Sequence, residues 1–590
     1  MFTKRLFYFI ICSLLIACNG EKDSSMDYIL DMVHNNPGEE PFVTKYNDPK
    51  YLKEQGYNGT VGVWHINCAI NYDSFVKDII PQNSEERKWI DKKAKLIAQK
   101  IDSCEKYGIN VYPFTDFIVF PESIWKAYED EIVADGQLNN LGGKISQNRK
   151  PNLQSELLQQ LVVAQIDEIF TKFPKLDGLT LRFGETYLHD TPFHSGGSPI
   201  RKGEEGIEDH IKLINILKEE VCVKRNKKLF YRTWDFGHNF HTNPSYYLQV
   251  TNEIVPHQNL IFSIKYQQGD FHRMTPFNPC IGIGKHQQIV ESQSRLEAYG
   301  KGAHPYYTAK AVIEGWPETE YEIDFRKNAF AENRPLNSKP RGLKNVLDSG
   351  TLNGTMTWSH GGGWKGPYIK HEIWTDLNSY VVSQWAQDPN KPEEEIFSQF
   401  ASKLGLEGEA LDKFRRLCLL TIDGVGKGHI NSYWRNSVWW TRDQYFSAAQ
   451  NRNIAREIVE NGLMEQVLKE KSESAETWRD IEKLSRQIEV NDSIAQQAIE
   501  TSCTYGRIKY ELIEQMWIMM LKVNLPDSKS RNNQLKASII RYDELWEEWY
   551  LLEKTHPLCA SIYTDMAFKD ERGGSIGEFV DQLREQLNDN

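Results

Sequence analysis

Between about residue 40 and residue 360 the chain alternates short apolar, β-branched runs with longer stretches whose apolar residues recur every three or four positions. The first pattern predicts strands and the second amphipathic helices. In order, the strand candidates are PFVTKY, TVGVWHIN, INVYPFTDF, GLTLRFGE, LFYRTWDF, LIFSIKY, QIVESQSRLE and GTMTWSH, the first being the weakest pattern. Helical segments fall between several of them: DPKYLKEQG, EERKWIDKKAKLIAQKIDSCEKYG, LLQQLVVAQIDEIFTKF and IEDHIKLINILKEEV. Strands alternating with helices over this length predict an α/β fold, a (β/α)8 TIM barrel, over residues 26–372. QIVESQSRLE reads two ways. As a strand it puts Glu291, Gln293, Arg295 and Glu297 on one face; as a helix it makes Glu291 and Arg295 an i,i+4 pair. The alternation slightly favours the strand.

After GGGWKGPYIKHEIW the pattern changes. Glycine and β-branched runs thin out, and amphipathic helical periodicity continues to the end, as in EEEIFSQFASKLGL and AIETSCTYGRIKYELIEQMWIMMLKV. Residues 373–590 therefore read as a separate all-α helical domain. At the other end, Lys4 and Arg5 precede an apolar run from Leu6 to Ala17, too short to remain as a membrane-spanning helix. The run ends in LIAC, which resembles a bacterial lipoprotein cleavage box. Residues 1–25 then read as signal peptide and tether, with Cys18 the lipid anchor to the membrane. An outer-membrane lipoprotein facing the periplasm or the cell surface is expected.

Composition narrows the partners. At 590 residues the chain suits two or three domains, and 40% apolar content marks it as folded. A net charge of −12 without a basic run argues against nucleic acid. The 16 tryptophans fit a large core or flat faces for sugar rings equally well. Cysteines are scattered with no CxxC pair, so neither a zinc site nor a disulfide framework is signalled, and no metal or cofactor is expected.

In such a barrel the chemistry sits at the C-terminal ends of the strands, so charge there is informative. GLTLRFGE delivers Glu185 just past Gly184, either as an acid at the mouth or as a solvated loop residue. LFYRTWDF brings Arg232 and Trp234 to one face, as a clamp for a sugar carboxylate or as an ion-pair scaffold for a neighbouring acid. LIFSIKYQQGD places Lys265 and Asp270 at and beyond a strand end. A lysine desolvated there needs an anion, either Asp270 itself or a substrate carboxylate. Glu185, Asp270 and Glu297 together fit acid–base glycoside cleavage, in which one acid protonates the leaving oxygen and another carboxylate activates water.

These landmarks, in this order, resemble the α-glucuronidases of glycoside hydrolase family 67. IKYQQGDF is similar to the family's lysine-to-aspartate strand end, ESQSRLEAYG to its glutamate-bearing strand, and DGLTLRFGE to the segment carrying its general acid. HEIWTDLNSYVVSQWAQDPNKPEEEI is similar to the approach to its C-terminal helical domain. The resemblance implies Glu185 as general acid and Asp270 with Glu297 as the base pair. Lys265 and Arg232 would bind the uronic carboxylate, with Trp234 and Glu291 lining the substrate site. It also implies inverting removal of an α-linked glucuronic or 4-O-methylglucuronic acid from polysaccharide fragments such as those of xylan, and a homodimer through the helical domain. The family's β-rich N-terminal domain has no counterpart here, and KYQQGD replaces an asparagine-containing turn. A non-catalytic surface glycan-binding lipoprotein is the alternative expectation. A polysaccharide lyase using Tyr187 and His189 is a third.

Overall fold

A computed structural model describes residues 25–34, 43–134, 150–183, 186, 188, 191–235, 239–271, 273, 275, 277–294, 302–317, 341–361, 367–429, 448–562 and 575–588. Its strands are β1 (Tyr28–Val33), β2 (Gly59–Thr60), β3 (Asn110–Val111), β4 (Phe114–Asp116), β5 (Val119–Pro121), β6 (Gly178–Arg182), β7 (His194–Gly196), β8 (Lys228–Arg232), β9 (Leu260–Lys265), β10 (Gln287–Gln293) and β11 (Leu352–His360). Nine of them form one sheet in the order β3-β2-β1-β11-β10-β9-β8-β6-β4, every pairing parallel. Strands β5 and β7 form a separate antiparallel ribbon. Parallel strands are covered on both faces, which is why β1, β6 and β9 are buried along their whole length.

The sheet is strongly curled. Tyr28 on β1 and Phe230 on β8 touch with ring centroids 5.1 Å apart, although β11, β10 and β9 lie between their strands in the sheet. Tyr112 completes this layer at 4.9 Å from Phe230. The two outermost strands, β3 and β4, are consecutive in the chain, separated by Tyr112 and Pro113. That stretch bonds on both sides: the amides of Tyr112 and Phe114 donate to the carbonyls of Thr60 and Gly62. On the other side the amides of Asp177 and Thr180 donate to the carbonyls of Val111 and Pro113.

Helices cover the outside of the sheet. Glu85–Lys106 starts where Ser84 accepts the Arg87 amide, and it buries Ile90, Ala94, Ile97, Ile101 and Cys104 as one stripe. Glu156–Lys172 is capped likewise by Ser155. From Glu393 onward the described chain is helical, dominated by Gly408–His429, Met464–Ser485, Ser493–Lys522 and Lys529–Thr555.

Two strand candidates differ from the sequence reading: of TVGVWHIN only Thr60 belongs to β2, and Ile66 and Asn67 begin a 3-10 turn, Ile66–Ala69. The first strand is Tyr28–Val33, and in PFVTKY the residues from Lys45 form a single 3-10 turn, Lys45–Asn47. Asp31 breaks the apolar run of YILDMV yet is fully buried, accepting hydrogen bonds from Thr357 and Ser359. The helix Ile373–Gln387, placed by sequence at the start of the helical domain, lies against the sheet. Tyr57 donates to the carbonyl of Ser379, and the Met26 amide donates to that of Ala386.

Candidate active site

The C-terminal ends of β8, β9, β10 and β11 converge on a buried layer of charge. Period two along β8 turns Phe230 and Arg232 to the inside, and the same rule on β10 and β11 turns Glu291 and Trp358 inward. Arg232 and Glu291 form a bidentate pair, Nε to Oε1 at 2.7 Å and Nη2 to Oε2 at 2.6 Å. Glu291 also accepts from Ser263 Oγ at 2.7 Å and from Trp358 Nε1 at 3.2 Å. The Arg232 guanidinium lies 4.8 Å from the Phe114 ring and 5.4 Å from that of Trp358. Burial pushes the Glu291 carboxyl up, but Arg232, Lys265 and the Ser263 hydrogen bond outweigh it and hold the group below its usual value.

One step further along the strands, Lys265 donates to Asp270, and both side chains are only 1% exposed. The Lys265 ammonium sits 3.9 Å from the Trp234 ring centroid and 4.8 Å from that of Phe271. Asp270 itself has φ +60°, a left-handed conformation that side chains other than glycine rarely take and that costs on the order of 1 kcal/mol. Its loop is tied down: the Gly269 amide donates to Thr275 Oγ1, and Gln267 Nε2 donates to the carbonyls of Arg273 and Thr275. A Cβ on Gly269 would meet Thr275 Cγ2 at 2.4 Å, so glycine is required there.

The structure thus gathers Arg232, Trp234, Lys265, Asp270 and Glu291 into one cluster. Glu185, Glu297 and Cys18 lie outside the described residues, as do Arg295, Tyr187 and His189. Of the two roles sequence left open for Arg232, the observed arrangement is the ion pair with a neighbouring acid; for Lys265, the observed anion is Asp270. Sequence reasoning passed over Ser263, Trp358 and a third buried pair, Arg182 with Asp116, bonded through two contacts at the ends of β6 and β4. The signal was present, because INVYPFTDF also ends in charge and Trp358 shares its face with Met356. Among the described residues these three pairs match three basic side chains to three carboxyl groups. Among the described residues no three His, Cys, Asp or Glu side chains gather as metal ligands, and the seven described cysteines are buried and free.

Such a layer does two things chemically. It holds a carboxylate, Asp270, in a fixed and strained pose at the mouth of a curled parallel sheet. It also places the faces of Trp234 and Phe271 against the Lys265 ammonium that pairs with that carboxylate.

No protein-family model and no curated protein matches the chain. Among solved structures it is similar to a GH138 enzyme targeting pectin rhamnogalacturonan II, with a TM-score of 0.54 and 12% identity over 96% of this chain and 68% of that one. It is also similar to a mutant of the Thermobaculum terrenum O-GlcNAc hydrolase, with a TM-score of 0.40 and 10% identity over 95% of this chain and 94% of that one. A third, CpGH84B, gives a TM-score of 0.37 and 8% identity over 95% and 77% of the two chains. The first likeness identifies the fold as one used by glycoside hydrolases. At 12% identity it speaks to fold alone, and none of the three is a family 67 α-glucuronidase.

Proposed function

We propose that this protein is a glycoside hydrolase that removes an acidic sugar, glucuronic acid or a related uronate, from a polysaccharide fragment. The observation that carries the reading is Asp270: a buried carboxylate in a left-handed pose, paired with Lys265, whose ammonium lies over the Trp234 ring, at the C-terminal strand ends of a glycoside-hydrolase kind of fold. The fold reads as a (β/α)8 barrel of eight strands when Asn110–Asp116 is counted as one strand, and its hydrogen bonds to both neighbours support that count.

In the proposed mechanism Glu185, three residues past the end of β6 in sequence, is the general acid. Asp270 with Glu297 positions and deprotonates the attacking water, giving inversion at the anomeric carbon. Lys265 and Arg232 supply positive potential toward the substrate carboxylate, with Trp234 as the stacking surface, while Glu291 holds Arg232 in place. Bond accounting is that of hydrolysis: the glycosidic C–O bond breaks, water adds at the anomeric carbon, and the proton from the acid goes to the leaving oxygen. Uronate-bearing glycans are the substrate class, and the pectic target of the GH138 enzyme joins xylan fragments among those to test.

The test is a panel of uronate-bearing oligosaccharides with products followed by NMR from the first turnover. Release of a free uronate with inverted configuration, lost in Asp270→Asn and Glu185→Gln, supports the reading. Wild-type rates in either variant remove that residue from the chemistry. The closed pairs Arg232–Glu291 and Lys265–Asp270 favour a second reading, a glycan-binding protein without turnover. Binding across the panel with no product identifies that case.

A further inference from the structure

The loop that follows β9 carries Asp270 and, three residues later, Arg273. Arg273 is 3% exposed. Its Nη1 donates to the main-chain carbonyl of Ile422 at 2.6 Å and to the Tyr306 hydroxyl at 3.1 Å. Ile422 belongs to the helix Gly408–His429, so this arginine fastens a loop at the mouth of the sheet to the helical region. Its guanidinium lies over Trp316, 4.4 Å from the ring centroid. Trp316 in turn packs against the Tyr306 ring at 5.6 Å, and the Tyr306 carbonyl accepts from Asn378.

The helix is built to receive the arginine. A helical carbonyl already accepts the amide four residues on, and a side chain at that i+4 position normally shields it. Here the i+4 residue is Gly426, and a Cβ placed on it would come within 2.9 Å of Arg273 Nη2. The neighbouring glycines of the same helix serve other contacts: Gly424 faces the Trp478 indole and Gly428 faces Tyr510. Of these three glycines it is Gly426 that leaves room for a residue of the candidate site loop.

We propose that Arg273 is a positioning residue through which the helical region fixes the loop carrying Asp270. The left-handed pose of Asp270 persists only if its surroundings over-determine it. The Arg273–Ile422 bond supplies that constraint from outside the sheet. The inference rests on the functional reading given above for its consequence in catalysis, but the mechanical link is measurable without substrate.

The decisive variant is Gly426→Ala, which lies in the helix and touches neither Asp270 nor Lys265. Alanine is the better helix former by about 1 kcal/mol, which offsets part of the loss of Arg273's bonds and keeps the protein folded at the assay temperature. The new methyl group displaces only the flexible tip of Arg273. Hydrogen exchange followed by mass spectrometry reads the loop directly. Amides between Tyr266 and Asn278, including that of Gly269, exchange faster in Gly426→Ala, while the strands do not change. On a substrate from the panel, kcat falls on the order of ten-fold with KM unchanged, the penalty of a sub-ångström misplacement. Arg273→Met, which removes the same bonds from the other side, gives the same pattern, and the double variant is no worse than either single one. Unchanged exchange in the loop in both variants overturns the proposal. So does faster exchange with wild-type kcat. If the wild-type protein releases no sugar, the functional reading fails, and the exchange experiment still decides whether the helix holds the loop.

Discussion

Replacing Glu291 by Gln removes one charge from the centre of the candidate site and leaves its shape. The carboxylate accepts four hydrogen bonds, two of them from an arginine whose side chain is 1% exposed. Glutamine keeps one acceptor oxygen and turns an NH2 toward a donor, so Arg232 is left buried, charged and half-bonded. Breaking a buried pair in this way costs about 3–5 kcal/mol, because the remaining charge is uncompensated rather than because the pair itself is worth that much. At roughly 2 °C per kcal/mol for a unit of this size, the melting temperature falls by about 6–10 °C. The companion double variant Arg232→Met/Glu291→Leu removes both charges and recovers most of the loss, giving a coupling energy on the order of 2 kcal/mol or more. Thermal melts by circular dichroism at pH 7 measure both, and the effect is insensitive to salt because the pair is dry. The pH dependence has a fixed sign. The folded-state pKa of Glu291 is lowered, so its contribution is complete above the ordinary carboxylate value near 4.5 and is lost as the pH falls through the folded value. Wild-type and Glu291→Gln melts therefore converge in acid. A loss below about 1 kcal/mol at pH 7, or a double variant worse than the single, refutes the argument.

Asp31 predicts the opposite slope. Burial pushes its carboxyl up to about 7 from 3.8, so folding is favoured when it is protonated and loses stability as the pH rises from about 4 through 7. Asp31→Asn melts higher than wild type at pH 8, with the difference shrinking toward pH 4; a constant difference refutes it. His210 is buried and held neutral, down to about 3 from 6.5, bonded through Nδ1 to the Tyr231 hydroxyl at 2.8 Å. Its lowered value means stability is complete above pH 6.5 and falls below it, a limb that flattens in His210→Gln when unfolding is followed by urea titration between pH 4 and 7. If Cys18 carries the lipid expected from sequence, Cys18→Ser releases the protein from the membrane fraction and abolishes incorporation of a labelled fatty acid; retention of both rules out Cys18 as the anchor.

The parts of this fold that were legible in sequence are those where one period dominates. LIFSIKY, GLTLRFGE and the stripe in EERKWIDKKAKLIAQKIDSCEK each admit one reading, and the structure has it. Gln287–Gln293 is a strand because its inward Glu291 is met by Arg232, a contact that local pattern does not contain. Tyr28–Val33 was hidden because Asp31 interrupts it, and what makes that aspartate tolerable, Thr357 and Ser359, lies more than 300 residues away. For the same reason the charges of Lys265 and Asp270 were visible while their mutual pairing remained one of two options. Helix Ile373–Gln387 carries buried residues on most of its circumference, since it is covered by both the sheet and the later helices. Trp374 bonds Ser502 on one side while Ser379 receives Tyr57 on the other, and no amphipathic stripe marks a boundary in such a segment.

The uniform direction of the nine strands has a geometric consequence for how the molecule would stand on a bilayer. Tyr28 opens β1 at the end of the sheet opposite to Lys265 and Asp270. A lipid on Cys18 would be joined to that end by the seven residues 19–25, at most ~25 Å at ~3.5 Å per residue. The floor of the sheet would then face the headgroups, and the strand ends that carry Lys265 and Asp270 would point outward, toward arriving polymer rather than toward lipid.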